Sequence, residues 1–426
     1  MKEFITSTLY VGLDVSARQN VLCALDFSGD KLLTIKDSNN HPGAENIAAQ
    51  LKRCLLDNNL DRVTIALEST SFYSVHIANY LSACDELMPF HPMVYCLNPK
   101  TTARYKETFV DMDKTDPLDA LTIADFARAQ KITTEPWRGV QFLALQRLTR
   151  HRLHVVESIA REKMYMLNNI YLKFSELAVI NDPAERPFSN RYSVTAQGVL
   201  TEFLTLEDIA ECSLEELVLF VRDKGRNRFA DAEHTAKLLQ NAARDSYRLD
   251  KVLYEPLNLA IASSFNIVKA LQQEIKIIDK GIAKQYKGIN TNQFQCLLSI
   301  PGIGSTFASG ILSEIGTITA FSSNDKLAKY AGLTWRVKQS GSYTADITRM
   351  TKTGNKYLRY YLIEAANSVR KSIPEYKEYY HKKYDETTTH QHKRALALTA
   401  RKLVRLIFKL LSENQLYSSD NARSNN

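Results

Sequence analysis

Four carboxylates and one serine stand out as residues able to do chemistry together. Asp14 follows Val11-Gly12-Leu13 inside an apolar run, where a carboxylate is costly to bury without a partner. Glu68 closes Ala66-Leu67-Glu68-Ser69-Thr70, at the point where a buried strand meets its loop, a common place for chemistry in open sheets. Asp116 and Asp119 stand in Asp113-Lys114-Thr115-Asp116-Pro117-Leu118-Asp119-Ala120. Pro117 suits the first helical position with Asp116 as the N-cap, and Asp119 lies three residues on, on the same face of the first turn. Gathered into one pocket, four carboxylates demand cations, and an all-oxygen set suits a hard divalent ion such as Mg2+. Two such ions about 3.5–4 Å apart hold both the attacking and the leaving oxygen of a phosphodiester; Mn2+ is the natural substitute. Taken singly, each acid has an ordinary reading: Asp116 as a helix cap, Glu68 as a strand end, and Asp125 further on as a solvated helix charge. The set of four in this order carries the argument. Lys114, beside them, suits either a phosphate contact or plain surface.

Ser340 precedes Gly341 in the basic segment Arg336-Val337-Lys338-Gln339-Ser340-Gly341-Ser342. An exposed serine there, flanked by Arg336, Lys338, Arg349 and Lys352, has cations at hand to neutralise a phosphate and the charge built up on attack. Its hydroxyl can displace a DNA strand and hold it as a phosphoserine, conserving the bond energy for rejoining. Serine needs activation, and no histidine is near in the sequence, so metal help from the acidic residues is the attractive route. Ser-Gly-Ser is equally a common turn, and Ser342 competes with Ser340. Upstream, Ile300-Pro301-Gly302-Ile303-Gly304 lies between two helical segments and reads as a helix-hairpin-helix element. There Gly302 and Gly304 would present backbone N–H groups to a DNA phosphate; a plain connection is the alternative. Arg349, Lys352, Lys356 and Arg359 read as backbone-phosphate contacts.

The elements that must position these residues follow from periodicity. Residues 9–16, 21–27 and 31–36 read as successive strands, with Ser28-Gly29-Asp30 as a hairpin turn. Helical periodicity over 42–56, a short strand over 63–67, a helix over 74–84, a strand over 93–97 and a helix over 114–128 follow. The order β-β-β-α-β-α-β-α, three antiparallel strands then two parallel additions, predicts an α/β ribonuclease H-like domain over residues 1–135. Residues 140–178 predict a long basic amphipathic helix, and 180–200 a loop rich in Asn, Asp, Pro and Ser. The pattern is helical from 201 to 286, and its last stretch, 231–287, is long enough for paired or coiled helices. Residues 136–290 are thus expected to form a helical, coiled-coil connector suited to dimerisation. Residues 291–415 are expected to form a mainly α C-terminal domain, with a loop over 336–353. Residues 416–426 are polar and are expected to form a disordered tail.

With 426 residues, the chain is too long for one ordinary core. Its net charge of +8 fits a polyanion partner, and the cations crowd between Arg336 and Lys409. None of the six cysteines forms a C-x-x-C pair, which points to free thiols in a reducing compartment. Met1–Ser7 lacks a signal-peptide pattern and no apolar stretch reaches bilayer length, so a cytoplasmic protein with no membrane partner is expected.

The motifs Gly12-Leu13-Asp14, Leu67-Glu68-Ser69-Thr70, Asn98-Pro99, Lys114-Thr115-Asp116-Pro117-Leu118-Asp119-Ala120, Ile300-Pro301-Gly302-Ile303-Gly304, Ala331-Gly332-Leu333-Thr334 and Ser340-Gly341-Ser342 together resemble the DEDD transposases of the IS110 insertion-sequence class, which includes the Piv-type DNA invertases. The resemblance covers residues 9–130 and 294–412. It implies a RuvC-like domain paired with a C-terminal transposase domain. Asp14, Glu68, Asp116 and Asp119 would form the DEDD set, with Ser340 as nucleophile. It further implies donor and target DNA chosen by a structured non-coding bridge RNA, and active sites formed between protomers in dimers that assemble into a tetramer. The location it implies is a bacterial cytoplasm, with the protein at the nucleoid. The rivals are a RuvC-like nuclease or junction resolvase using water, and a nucleic-acid-binding module without catalysis. A sugar kinase or actin-like ATPase shares the strand layout but needs Gly-rich phosphate loops in two halves, and none precedes residue 300.

Overall fold

The computed structural model describes residues 6–69, 72–108, 115–132, 134, 136, 137, 139–286, 291–335, 339, 340, 343, 344 and 350–418. The first three strands, β1 (Thr8–Val15), β2 (Gln19–Leu25) and β3 (Lys31–Ser38), form an antiparallel meander. The turn between β2 and β3 is closed by the Asp26 carboxylate, which accepts from the Gly29 and Asp30 N–H groups at 2.8 Å each. Two further strands, β4 (Arg62–Glu68) and β5 (Met93–Leu97), add in parallel to give the order β3-β2-β1-β4-β5. This mixed five-stranded sheet is the arrangement expected of an RNase H-like domain.

Alternation divides each strand between two layers. Leu9, Val11, Leu13, Leu22, Ala24, Val63, Ile65 and Leu67 pack into one large core with α1 (His41–Asp57) and α2 (Tyr73–Ala83). Helix α1 is a product of that burial: Ile47, Leu51 and Leu55 recur every four residues and are fully buried, each contributing roughly 1.5–3 kcal/mol. The Asn40 side chain, accepting from Gly43 N–H at 2.9 Å, adds about 1 kcal/mol as a cap. Tyr10, Gly12, Asp14, Ala66 and Glu68 therefore share the opposite face. That face is covered by α4 (Asp116–Arg128), whose Ala120, Ile123, Ala124 and Phe126 pack on β1 and β2.

One helix in this region departs from the predicted order. Between β5 and α4 runs α3 (Pro99–Lys106), with Asn98 as its N-cap, accepting from Lys100 N–H at 3.0 Å. Its sequence, Pro-Lys-Thr-Thr-Ala-Arg-Tyr-Lys, has no apolar periodicity to announce it.

The chain clusters into two compact units, Met1–Gln146 with Gln285–Asn426, and Arg147–Lys284. The second unit is wholly helical. Helix α5 (Val140–Lys173) begins before it and is followed by α6 (Ser175–Val179), α7 (Val194–Glu202), α8 (Glu207–Ala210), α9 (Leu214–Lys224), α10 (Ala232–Asp245) and α11 (Lys251–Gln285). One expectation is corrected: the stretch read as loop over 180–200 gives way at Ser193, whose side chain caps α7. The stretch 231–287, read as long enough for paired or coiled helices, holds two helices, α10 and α11, separated at residues 246–250. Helices α5 and α11 lie antiparallel: Arg152 pairs with Asp279 at 2.7 Å near one end, and Lys173 meets Asn258 at 2.5 Å near the other. Lys173 is 1% exposed, and its ammonium also donates to the carbonyls of Leu200 at 2.9 Å and Phe203 at 2.7 Å. All three of its protons thus meet an acceptor, which is what makes a buried lysine tolerable.

In the C-terminal part of the first unit, α12 (Thr291–Leu298) and α13 (Ser305–Ile315) are joined by the turn at Pro301–Gly304. Helices α14 (Asn324–Ala331), α15 (Lys356–Ser372), α16 (Pro374–Asp385) and α17 (Gln391–Glu413) complete it. The region read as a structureless loop over 336–353 holds a short antiparallel pair, β6 (Gln339–Ser340) with β7 (Tyr343–Thr344); two-residue strands are too short to show a period. All six cysteines are free. Among the described residues, no helix is long and apolar enough to cross a membrane.

Candidate active site

Register brings the first two acids together. Leu13 pairs with Leu67 in the parallel β1–β4 ladder, so Asp14 and Glu68 are neighbours on adjacent strand ends, on the face covered by α4. Gly12 lets that helix come down. A Cβ at this position would lie 2.1 Å from the Ala120 carbonyl oxygen and 2.2 Å from the Ala124 nitrogen, so only glycine fits. The close approach delivers the first turn of α4, with Asp116 and Asp119, to the strand ends. The exposed helix N-terminus there is a favourable place for negative charge. The helix begins with Thr115 in the N-cap place and Asp116 as its first residue, one step from the predicted cap.

Asp14, Glu68 and Asp119 line one cavity of about 390 Å³ together with Pro99, Thr102, Ala103, Lys106, Thr122 and Ile123. Asp116, the first residue of α4, is exposed. Burial pushes the Asp14 carboxyl up to about 6, and the charges of Asp119, Asp116 and Glu68 push in the same direction. All four acids thus share one electrostatic neighbourhood. Helix α3, absent from the sequence reading, supplies the rest of the wall. The Thr102 hydroxyl hydrogen-bonds Glu68, and the Lys106 ammonium forms an ion pair with Asp119. Asp125, read as a solvated charge, is instead held by Arg128 at 2.6 Å and by the Tyr105 hydroxyl at 2.6 Å. It ties α3 to α4.

The donor set fits a divalent cation: every candidate ligand is a carboxylate oxygen, and Lys106 is the only cation among the described lining residues, leaving the pocket with excess negative charge. Among the described residues, no three carboxylate, imidazole or thiol groups are already disposed around a single point to hold an ion. Glu68 and Asp119 are each engaged by a side chain of α3, and Asp116 is exposed.

The serine region is built separately. Its neck is closed by an antiparallel bridge between Trp335 and Met350. The Thr351 N–H donates to the Thr334 carbonyl at 2.8 Å, and the two threonine hydroxyls meet at 3.1 Å. Arg359 donates to the carbonyls of Ala331 at 3.0 Å and Lys352 at 3.1 Å, so it fastens both sides of the neck, and burial lowers its pKa. Below it, the Asn355 amide donates at 2.7 Å to Glu314, a carboxylate only 3% exposed, while its oxygen caps α15. Lys352 and Lys356 are exposed. Ser340 pairs through its backbone with Tyr343. Lys114, Arg336, Lys338, Arg349 and Ser342 lie outside the described residues. Gly302 has φ +98°, and a Cβ there would lie 2.9 Å from the backbone of Ser368 and Val369 on α15, whereas Gly304 faces open space. The acidic cavity draws its described lining entirely from residues 14–123.

Two family matches bracket these two regions. Residues 11–174 match the DEDD transposase family of IS110, and residues 294–381 match the family described as transposase IS116/IS110/IS902. The chain belongs to the IS110 family of transposases. This transposase is 27% identical over 307 residues to the uncharacterised 42 kDa protein of insertion element IS900 from Mycobacterium paratuberculosis, covering 71% of this chain and 73% of the relative. It is 29% identical over 123 residues to the uncharacterised 43.6 kDa protein of insertion element IS110 from Streptomyces coelicolor, covering 29% of this chain and 30% of the relative. Membership implies DNA binding, cleavage and rejoining, and the acidic set of the family points to divalent metal use. Residues 175–293 lie between the two family matches and belong to neither.

Proposed function

We propose that this transposase cuts and rejoins DNA with Asp14, Glu68, Asp116 and Asp119 as ligands of two Mg2+ ions, replaceable by Mn2+, and Ser340 as the nucleophile. The observation that carries the reading is the gathering of three acids on one cavity, with the fourth close enough to be felt by Asp14. The metal, when bound, polarises the phosphate and stabilises the departing oxygen. The Ser340 hydroxyl attacks phosphorus, losing its proton, and the bond from phosphorus to one deoxyribose oxygen breaks. That oxygen leaves protonated as a free hydroxyl, and the other strand end is held as a phosphoserine. Attack by a hydroxyl of the partner DNA on the phosphoserine reverses the balance and rejoins the strands without a nucleotide cofactor.

Residues 1–135 then act as the catalytic domain, 136–290 as a connector that dimerises through its long helices, 291–415 as the transposase domain bearing the serine, and 416–426 as a tail. In line with the family resemblance, the serine is supplied by another protomer within a dimer or tetramer. Lys114, Gly302, Gly304, Arg336, Lys338, Arg349, Lys352, Lys356 and Arg359 form the nucleic-acid-facing set, and a structured non-coding RNA selects donor and target. The protein works in the bacterial cytoplasm at the nucleoid.

A second reading rests on that same self-contained cavity: water in place of serine, giving a RuvC-like nuclease. Ser340→Ala separates the two. The recombinase loses both strand cleavage and the covalent protein–DNA adduct seen on denaturing gels, whereas continued cleavage by the variant establishes hydrolysis. The DNA flanking the gene distinguishes transposition from Piv-type inversion: a mobile-element end with a structured non-coding segment marks the former, a fixed invertible locus the latter.

A further inference from the structure

Helix α3 touches two of the four acids with side chains one turn apart. Thr102, 3% exposed, hydrogen-bonds Glu68, and Lys106 pairs with Asp119. The helix is held in place independently of both contacts, by the Asn98 cap at 3.0 Å and by the Tyr105 hydroxyl on Asp125 at 2.6 Å. It therefore presents Lys106 to the cavity whatever the state of Asp119. Lys106 is 24% exposed and Asp119 30%, so the ammonium has a route outward. A lysine, a compact charge on a flexible stem, can leave such a pairing without disturbing the backbone.

We propose that Lys106 is a built-in countercation of the acidic cavity: it neutralises Asp119 in the metal-free protein and is displaced when divalent ions load. The inference rests on reading the acids as a metal site. The carboxylates of Asp14, Glu68 and Asp119 line one cavity and repel one another. A resident ammonium relieves that repulsion while the protein waits for metal. A divalent ion carries twice the charge and prevails once present. The displaced ammonium stays beside the cavity, where its charge is available to a DNA strand.

The test is titration of the full-length protein with Mn2+, followed by electron paramagnetic resonance at constant ionic strength, for wild type, Lys106→Met, Lys106→Arg, Asp119→Asn and the Lys106→Met/Asp119→Asn pair. Removing the competitor is expected to tighten Mn2+ binding on the order of 10-fold in Lys106→Met, with little change in Lys106→Arg. In the Asp119→Asn background the same change has no effect, because the pairing is already gone. Strand cleavage by Lys106→Met is expected to fall despite the tighter ion. Equal or weaker Mn2+ binding by Lys106→Met overturns the countercation while leaving the metal site intact. Failure of the wild type to bind Mn2+ at all overturns the metal reading and this inference with it.

Discussion

Replacing Gly12 with alanine tests the central geometric claim, that one missing side chain sets the position of two acids. The added Cβ falls 2.1 Å from the Ala120 oxygen and 2.2 Å from the Ala124 nitrogen, where ordinary contact begins at 3.4 Å. Relief requires α4 to withdraw from β1 by roughly 1 Å or more, in the range where overpacking costs about 1–3 kcal/mol. Both obstructing atoms belong to the backbone, so no truncation on the helix can relieve the clash, and Gly12→Ala with Ala124→Gly is expected to behave no better. The withdrawal carries Asp116 and Asp119 away from Asp14 and Glu68. A displacement of about 1 Å at a reacting centre costs on the order of 10²-fold in rate. Cleavage of a family-type DNA substrate by Gly12→Ala is therefore expected to fall about 100-fold, while thermal melting still shows a cooperative fold. The assay is single-turnover strand cleavage at saturating Mg2+, beside a melting curve. Cleavage within about threefold of wild type, in a variant that melts normally, refutes the idea that the Gly12 contact sets the site.

Four further variants test packing elsewhere in the chain. Lys173→Met leaves the Leu200 and Phe203 carbonyls and the Asn258 amide oxygen without their donor, and is expected to destabilise the helical unit by about 1–3 kcal/mol in urea unfolding. Burial lowers the Lys173 pKa to about 8 from 10.5, so the unfolded chain holds the extra proton between those values. This group's contribution to stability is smallest below pH 8 and rises through that window, and the Met variant lacks the rise. Gly302→Ala combines a left-handed φ with a close backbone contact and is expected to lower the melting temperature, with a cost of about 1–3 kcal/mol. Gly304→Ala faces open space, leaves melting unchanged, and weakens duplex binding in a salt-dependent filter assay if that turn receives a phosphate. Arg359→Met unfastens the neck of the serine segment; loss of the protein–DNA adduct with cavity-bound Mn2+ unchanged is the expected pattern, and loss of Mn2+ binding contradicts it.

The five strands were legible because each holds a short apolar run with a polar turn beside it. Asp14 and Glu68 were legible for the opposite reason, as charges interrupting that pattern. Helix α3 was not, because Pro-Lys-Thr-Thr-Ala-Arg-Tyr-Lys buries little; only Asn98-Pro99, a cap followed by a first-turn proline, signals it. Thr102 and Lys106 were missed with it. The role of Asp125 escaped because its second partner, Tyr105, is twenty positions away, and pairings of that kind are set by tertiary packing. Arg359 read as a phosphate contact, and its donation to the Ala331 and Lys352 carbonyls escaped because composition does not reveal such pairings. Helix α7 was hidden by the Asn, Asp, Pro and Ser just before it, which dominate any window that includes both.

The fastening below Ser340 has an evolutionary corollary. Thr334, Trp335, Met350, Thr351 and Arg359 join the two sides of the segment largely at main-chain carbonyls and N–H groups. Such a clasp depends little on which side chains Trp335 and Met350 carry, whereas Arg359, which bonds through its guanidinium, is the position at which drift would open it.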